Sequence, residues 1–189
     1  MYLEKKAFTL FELMVAMTIA GIMMMMVLLP YAHYQNKAKL KLASREISQS
    51  FYDAKNMAIS GVKDIDGNTS IGMYMTTQEP DNDKIVFFSY PFDIDESAIN
   101  NTAIGNIKII KTKVLQEGIK LNYLGGKNNL LFFYNSINGK SKVYTFDTNP
   151  KTEVNDDEIS IIFSFKNATS SSLRKELIYF KDTNIIDYN

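Results

Sequence analysis

No cysteine occurs among the 189 residues, which removes a disulfide framework, a thiolate zinc site and a cysteine nucleophile from consideration. A single histidine, His33, is too few for a multi-histidine metal centre and for most acid/base dyads. Neither charge sign is in excess: 21 Lys+Arg face 21 Asp+Glu, and a neutral chain is not a general coating protein for nucleic acid. There is no internal repeat of fixed period and no Gly/Ser/Pro-rich linker. The length suits one domain of roughly 100 to 150 residues plus an appendage. What the chain does have is segregation. Six of its ten methionines fall between residues 14 and 26. The mean hydropathy of -0.15 therefore averages over unlike segments.

Residues 13–36 carry no formal charge, and residues 13–29 (LMVAMTIAGIMMMMVLL) are almost wholly apolar. A helix of about 20 such residues crosses a hydrocarbon core about 30 Å thick. A core helix of a soluble protein would be amphipathic, whereas this one is apolar all round. A cleaved secretory signal would show a small-x-small site soon after the run. Instead, Pro30-Tyr31-Ala32-His33-Tyr34 follows and places two tyrosines at the expected membrane interface. A retained membrane helix is the reading. Lys5 and Lys6 precede the span while Lys37, Lys39, Lys41 and Arg45 follow it, so local charge alone does not fix its orientation.

Glu12 breaks the pattern, because an acidic residue at the edge of an apolar run opposes insertion by as much as about 2.5 to 3.5 kcal/mol when deep in the helix. It either stays hydrated at the interface or has a positive partner. The stretch Lys5-Lys6-Ala7-Phe8-Thr9-Leu10-Phe11-Glu12-Leu13 resembles the class III signal of type IV pilins and type II secretion pseudopilins: a short basic leader, a small residue, a cut, then Phe-Thr-Leu-x-Glu-Leu opening a hydrophobic helix. The resemblance implies that prepilin peptidase cleaves between Ala7 and Phe8 at the cytoplasmic face and N-methylates Phe8. Glu12 then matches the family's glutamate and promotes assembly, and Pro30 matches a helix-kinking proline. In the family the residue before the cut is usually glycine; here it is Ala7. It also implies an inner-membrane location with the head extracytoplasmic. The implied partners are other pilin or pseudopilin subunits and the inner-membrane assembly platform, with no cofactor and no enzymatic activity.

Beyond Pro30 the chain becomes polar but keeps a helical rhythm, with Leu40, Ala43, Ile47, Phe51, Ala54 and Ala58 at three- or four-residue spacing. Gly61 is a natural stop. Lys37, Lys39, Lys41, Arg45 and Lys55 fall on the opposite side, a solvated or headgroup-facing surface. After Gly61 the pattern turns strand-like over 71–75, 84–90, 106–111, 119–124, 130–135, 142–147, 158–165 and 176–181. Turn clusters at 66–68, 80–83, 125–126 and 149–150 separate these runs, and Asn138-Gly139 is the clearest hairpin signal. The expected fold is α+β: a long N-terminal helix, half transmembrane and half amphipathic stem, packed on a mostly antiparallel β-sheet head. The expected divisions are a leader (1–7), a transmembrane or filament-core helix (8–36), a stem (37–61) and an extracytoplasmic head (62–189). The passage from stem to head is similar to that of GspH/FimT-like pseudopilins.

Other chemistry has little to stand on. Gly139-Lys140-Ser141 mimics the end of a phosphate-binding loop, but the earlier glycine position is Tyr134 and the context is a hairpin. Asp64, Asp66, Asp81 and Asp83 are weak oxygen-ligand candidates for calcium in stretches without the full twelve-residue loop pattern. Lys166, Arg174, Lys175 and Lys181 are low-ranking candidates for a nucleic-acid or other ligand surface, diluted by Asp182 and Asp187. The alternative function is accordingly a membrane-anchored module whose β head captures DNA or another ligand.

Overall fold

The structure is a computed structural model that describes residues 9–61, 70–90, 108–137, 139–145, 152–165, 173–183 and 185–188. One helix, α1 (Leu10–Ile59), opens it. Ten strands follow: β1 (Ser70–Thr76), β2 (Lys84–Tyr90), β3 (Lys108–Val114), β4 (Ile119–Leu124), β5 (Asn129–Tyr134), β6 (Ser141–Thr145), β7 (Thr152–Glu153), β8 (Glu158–Phe165), β9 (Arg174–Phe180) and β10 (Ile185–Tyr188). The expected α+β architecture is what the chain adopts. The chain divides into two compact units, Met1–Ala38 and Lys39–Asn189, and α1 contributes to both.

In the first unit α1 holds the apolar run. An 18-residue window there reaches a mean hydropathy of 2.3 with none of it buried, enough in length and composition to cross a membrane. Thr18 Oγ1 donates to the Met14 carbonyl at 2.8 Å, which pairs the hydroxyl within the helix. The helix runs uninterrupted through Pro30.

In the second unit the six stripe residues predicted from spacing, Leu40, Ala43, Ile47, Phe51, Ala54 and Ala58, are all buried. Three serines accompany them. Ser48 and Ser50 return their hydroxyls to the carbonyls four residues earlier, at 3.1 and 2.7 Å, and this pairing makes their burial tolerable. The helix ends at Gly61, whose φ of +63° is the left-handed conformation of a helix stop.

The strands form two antiparallel sheets, ordered β3-β2-β1-β5-β6-β7 and β10-β9-β8-β4. The larger sheet alternates its side chains between two clusters. Ile71, Met73, Ile85, Phe87, Leu130, Phe132 and Tyr134 join the main core with the stem stripe and with Leu121, Ile161, Phe163 and Tyr179 of the smaller sheet. Phe88, Tyr90, Leu131, Phe133 and Tyr144 form a second, aromatic cluster on the other face. Phe51 ties the layers together: its ring lies 4.9 Å from Phe132 on β5, edge on, and 4.9 Å from Tyr179 on β9, stacked, while Phe132 and Tyr179 meet at 5.2 Å.

Gly72 stands at the centre of the aromatic cluster. It pairs across the ladder with Phe88 on one side and Phe133 on the other, and those rings meet edge to face at 5.6 Å. A Cβ at Gly72 would overlap the Phe88 ring. The β5–β6 hairpin foreseen at Asn138-Gly139 is present, closed by a longer loop in which Asn135 N donates to the Lys140 carbonyl and Gly139 N to the Asn135 carbonyl. Asn138 itself lies outside the described residues.

Candidate functional site

The helix start is the strongest candidate. Thr9 precedes the first helical residue and Glu12 is three positions on. The Thr9 backbone N–H donates to Glu12 Oε2 at 2.9 Å, the Thr9 hydroxyl donates to the same oxygen at 3.0 Å, and Glu12 N–H lies 3.3 Å from Thr9 Oγ1. This reciprocal arrangement is a capping box, which pairs amide groups that a helix start otherwise leaves without partners. The carboxylate also lies at the positive end of the helix dipole. Glu12 therefore has a local structural partner, and Thr9 shares the site. Thr-x-x-Glu before an apolar run is the sequence signature of such a cap, a signal that lies in the spacing of Thr9 and Glu12 and not in the acidic residue alone. Ala7 and Phe8, the expected processing pair, lie outside the described residues.

The remaining candidates are distributed rather than gathered. Asp64 and Asp66 lie outside the described residues. Asp81 holds Lys84 Nζ at 2.8 Å, and through that hydrogen bond and charge it raises the lysine above its ordinary pKa. Asp83 Oδ2 lies 3.7 Å from Lys120 Nζ, and the same ammonium donates to Asn82 Oδ1 at 2.8 Å. Two lysines thus already supply positive charge to this turn. No group of three or more metal-ligating side chains occurs among the described residues.

The basic candidates do not converge either. Lys166 lies outside the described residues, and Arg174 and Lys175 are exposed neighbours on β9 whose side chains alternate between faces. Lys181 donates to Glu153 Oε1 at 3.2 Å and to the Val154 carbonyl at 2.8 Å. Tyr134 is fully buried on β5, so the Gly139-Lys140-Ser141 stretch belongs to a hairpin and not to a phosphate loop.

A buried hydroxyl group joins the sheets. Ser141 Oγ and Tyr179 OH lie 2.5 Å apart, and the fully buried Tyr134 neighbours them. Burial pushes the Tyr179 phenol up to about 12, and burial together with Tyr179 pushes Tyr134 well above its ordinary value. These groups hold the core together and face no solvent.

The helix start is also where the chain is similar to a known family. Residues 4–28 match the prokaryotic N-terminal methylation motif. No curated protein and no solved structure matches the chain. The likeness is to a type IV pilin-like N-terminus, and within α1 it covers residues 10–28 of the apolar run.

Proposed function

We propose that the chain is a minor pilin or pseudopilin, a structural subunit of a type IV pilus or type II secretion pseudopilus. It is cleaved between Ala7 and Phe8 by prepilin peptidase and N-methylated on Phe8. The membrane-held subunit, N-terminus cytoplasmic and β head extracytoplasmic, then joins a filament through its N-terminal helix. Residues 8–36 form the filament core, 37–61 the stem and 62–189 the head. The observation that carries this reading is the methylation motif over residues 4–28, coincident with an apolar helix that starts at Leu10.

Glu12 has two roles in this scheme. In the single subunit its carboxylate caps its own helix through Thr9. In the filament the new amine of Phe8 on a neighbouring subunit pairs with it. A unit-charge pair at 4 Å is worth about 4 kcal/mol at an effective dielectric near 20, before desolvation is subtracted. Glu12→Gln separates the roles, because a capping box accepts Gln at this position while the charge is lost. The chain is expected in the sheared-filament fraction of cells and the Glu12→Gln variant in the membrane fraction alone. Normal filament incorporation of that variant would remove the charge role, and absence of the unaltered chain from filaments would remove the subunit reading.

A further inference from the structure

Two edges of one sheet differ sharply in chemistry. The larger sheet ends at β3 on one side and at β7 on the other. Edge strand β3 reads KIIKTKV: it has three lysines in seven residues and exposes Ile109 (62%), Ile110 (38%) and Val114 (57%). The unpaired edge and its exposed apolar residues can take another chain, while the lysines disfavour any partner that is not acidic. Two β3 edges brought together would oppose lysine to lysine, so the edge does not suit itself. Beside it an open groove of about 310 Å³ is lined by Asp53, Asn56, Met57, Ser60, Phe87 and Lys111. Asp53 accepts from Gln49 Nε2 at 2.8 Å, and Lys113 donates to the Glu46 carbonyl. Lys111 is the exposed lysine at the groove.

At the opposite edge β7 carries Glu153; Asp156 and Asp157 follow in the connection to β8, which Glu158 opens in the smaller sheet, and all four are exposed. Lys142 and Lys181 bring two positive charges to this end, and Lys181 pairs with Glu153, leaving two carboxylates in excess.

We infer that β3 of one copy of this chain seats against the β7 end of a second copy, its lysines meeting the Glu153–Glu158 carboxylates. The inference deepens the subunit reading by giving the heads a contact additional to helix packing. Because the two surfaces are different, the contact is heterologous: each pair still presents one β3 edge and one acidic β7 end, so it propagates instead of closing as a symmetric dimer. Its charged component weakens as salt is raised.

Carbodiimide coupling of the full chain in detergent tests it, using a mixture of ¹⁴N and ¹⁵N copies so that mixed-isotope peptides report contact between copies. The expected products join the β3 lysines to residues 153–158. Lys111→Glu copies alone and Asp156→Lys copies alone lose at least about tenfold in yield, because a like-charge juxtaposition replaces an attractive one. Mixing the two variants restores coupling, since each supplies the edge the other lacks. Coupling confined to single copies, or a mixture no better than either variant alone, would overturn the contact. The assay needs no processed N-terminus, so an uncleaved chain would refute the filament reading while leaving this contact measurable.

Discussion

Phe51 is the side chain on which the union of stem and head most depends. It is 2% exposed and its ring touches one aromatic from each sheet, Phe132 and Tyr179, both at 4.9 Å. Phe51→Ala removes the ring from a site bounded by a helix and two sheets, where collapse is restricted. Truncations of this kind cost about 3 to 5 kcal/mol. For a chain of this size each kcal/mol lowers Tm by about 2 to 4 °C, so the expected fall is about 6 to 20 °C. The assay is thermal unfolding of the full chain in detergent, followed by near-ultraviolet circular dichroism of its tyrosines; there is no tryptophan to obscure them. Tyr52→Ala is the control, because Tyr52 is itself 43% exposed and its truncation loses far less burial. A Phe51→Ala change below about 1 kcal/mol, or an equal loss in Tyr52→Ala, would refute the argument that the stripe locks the stem into the core.

Alkaline pH gives a second test. The Tyr179 phenol has a folded pKa of about 12 against an ordinary 10.0, so its neutral form is favoured by folding. Its contribution, on the order of 3 kcal/mol, is fully present below pH 10 and is lost as pH rises from 10 toward 12. Tyr134 shifts the same way, and denaturant titrations of Tyr179→Phe and Tyr134→Phe should show a shallower decline above pH 10 than the unaltered chain. An equally steep decline in both variants would contradict this. Gly72→Ala is expected to lose about 1 to 3 kcal/mol by overpacking the Phe88 ring, with a change in aromatic dichroism; a variant as stable as the parent would show that the ring moves aside freely.

Much of the stem was legible because a helix repeats every 3.6 residues, and the spacing from Leu40 to Ala58 names the buried face directly. The longer strands were legible from their β-branched and aromatic runs. The two-residue β7 and four-residue β10 were not, since neither is long enough to establish an alternation. Division into two sheets was also hidden: β4 pairs with β8, far along the chain, and no local pattern encodes that partner. Consecutive aromatics such as Phe87-Phe88 and Phe132-Phe133 carried the clue to the second cluster, because adjacent apolar residues on a strand must cover both faces. At the helix start the glutamate stood out by its charge, whereas the role of Thr9 lay in its spacing from Glu12.

The most direct test of the account is the intact mass and N-terminal fragmentation of the chain purified from its native membrane. The account predicts loss of residues 1–7 and one added methyl group on the amine of Phe8. A chain that retains Ala7, or one cut elsewhere, would contradict it.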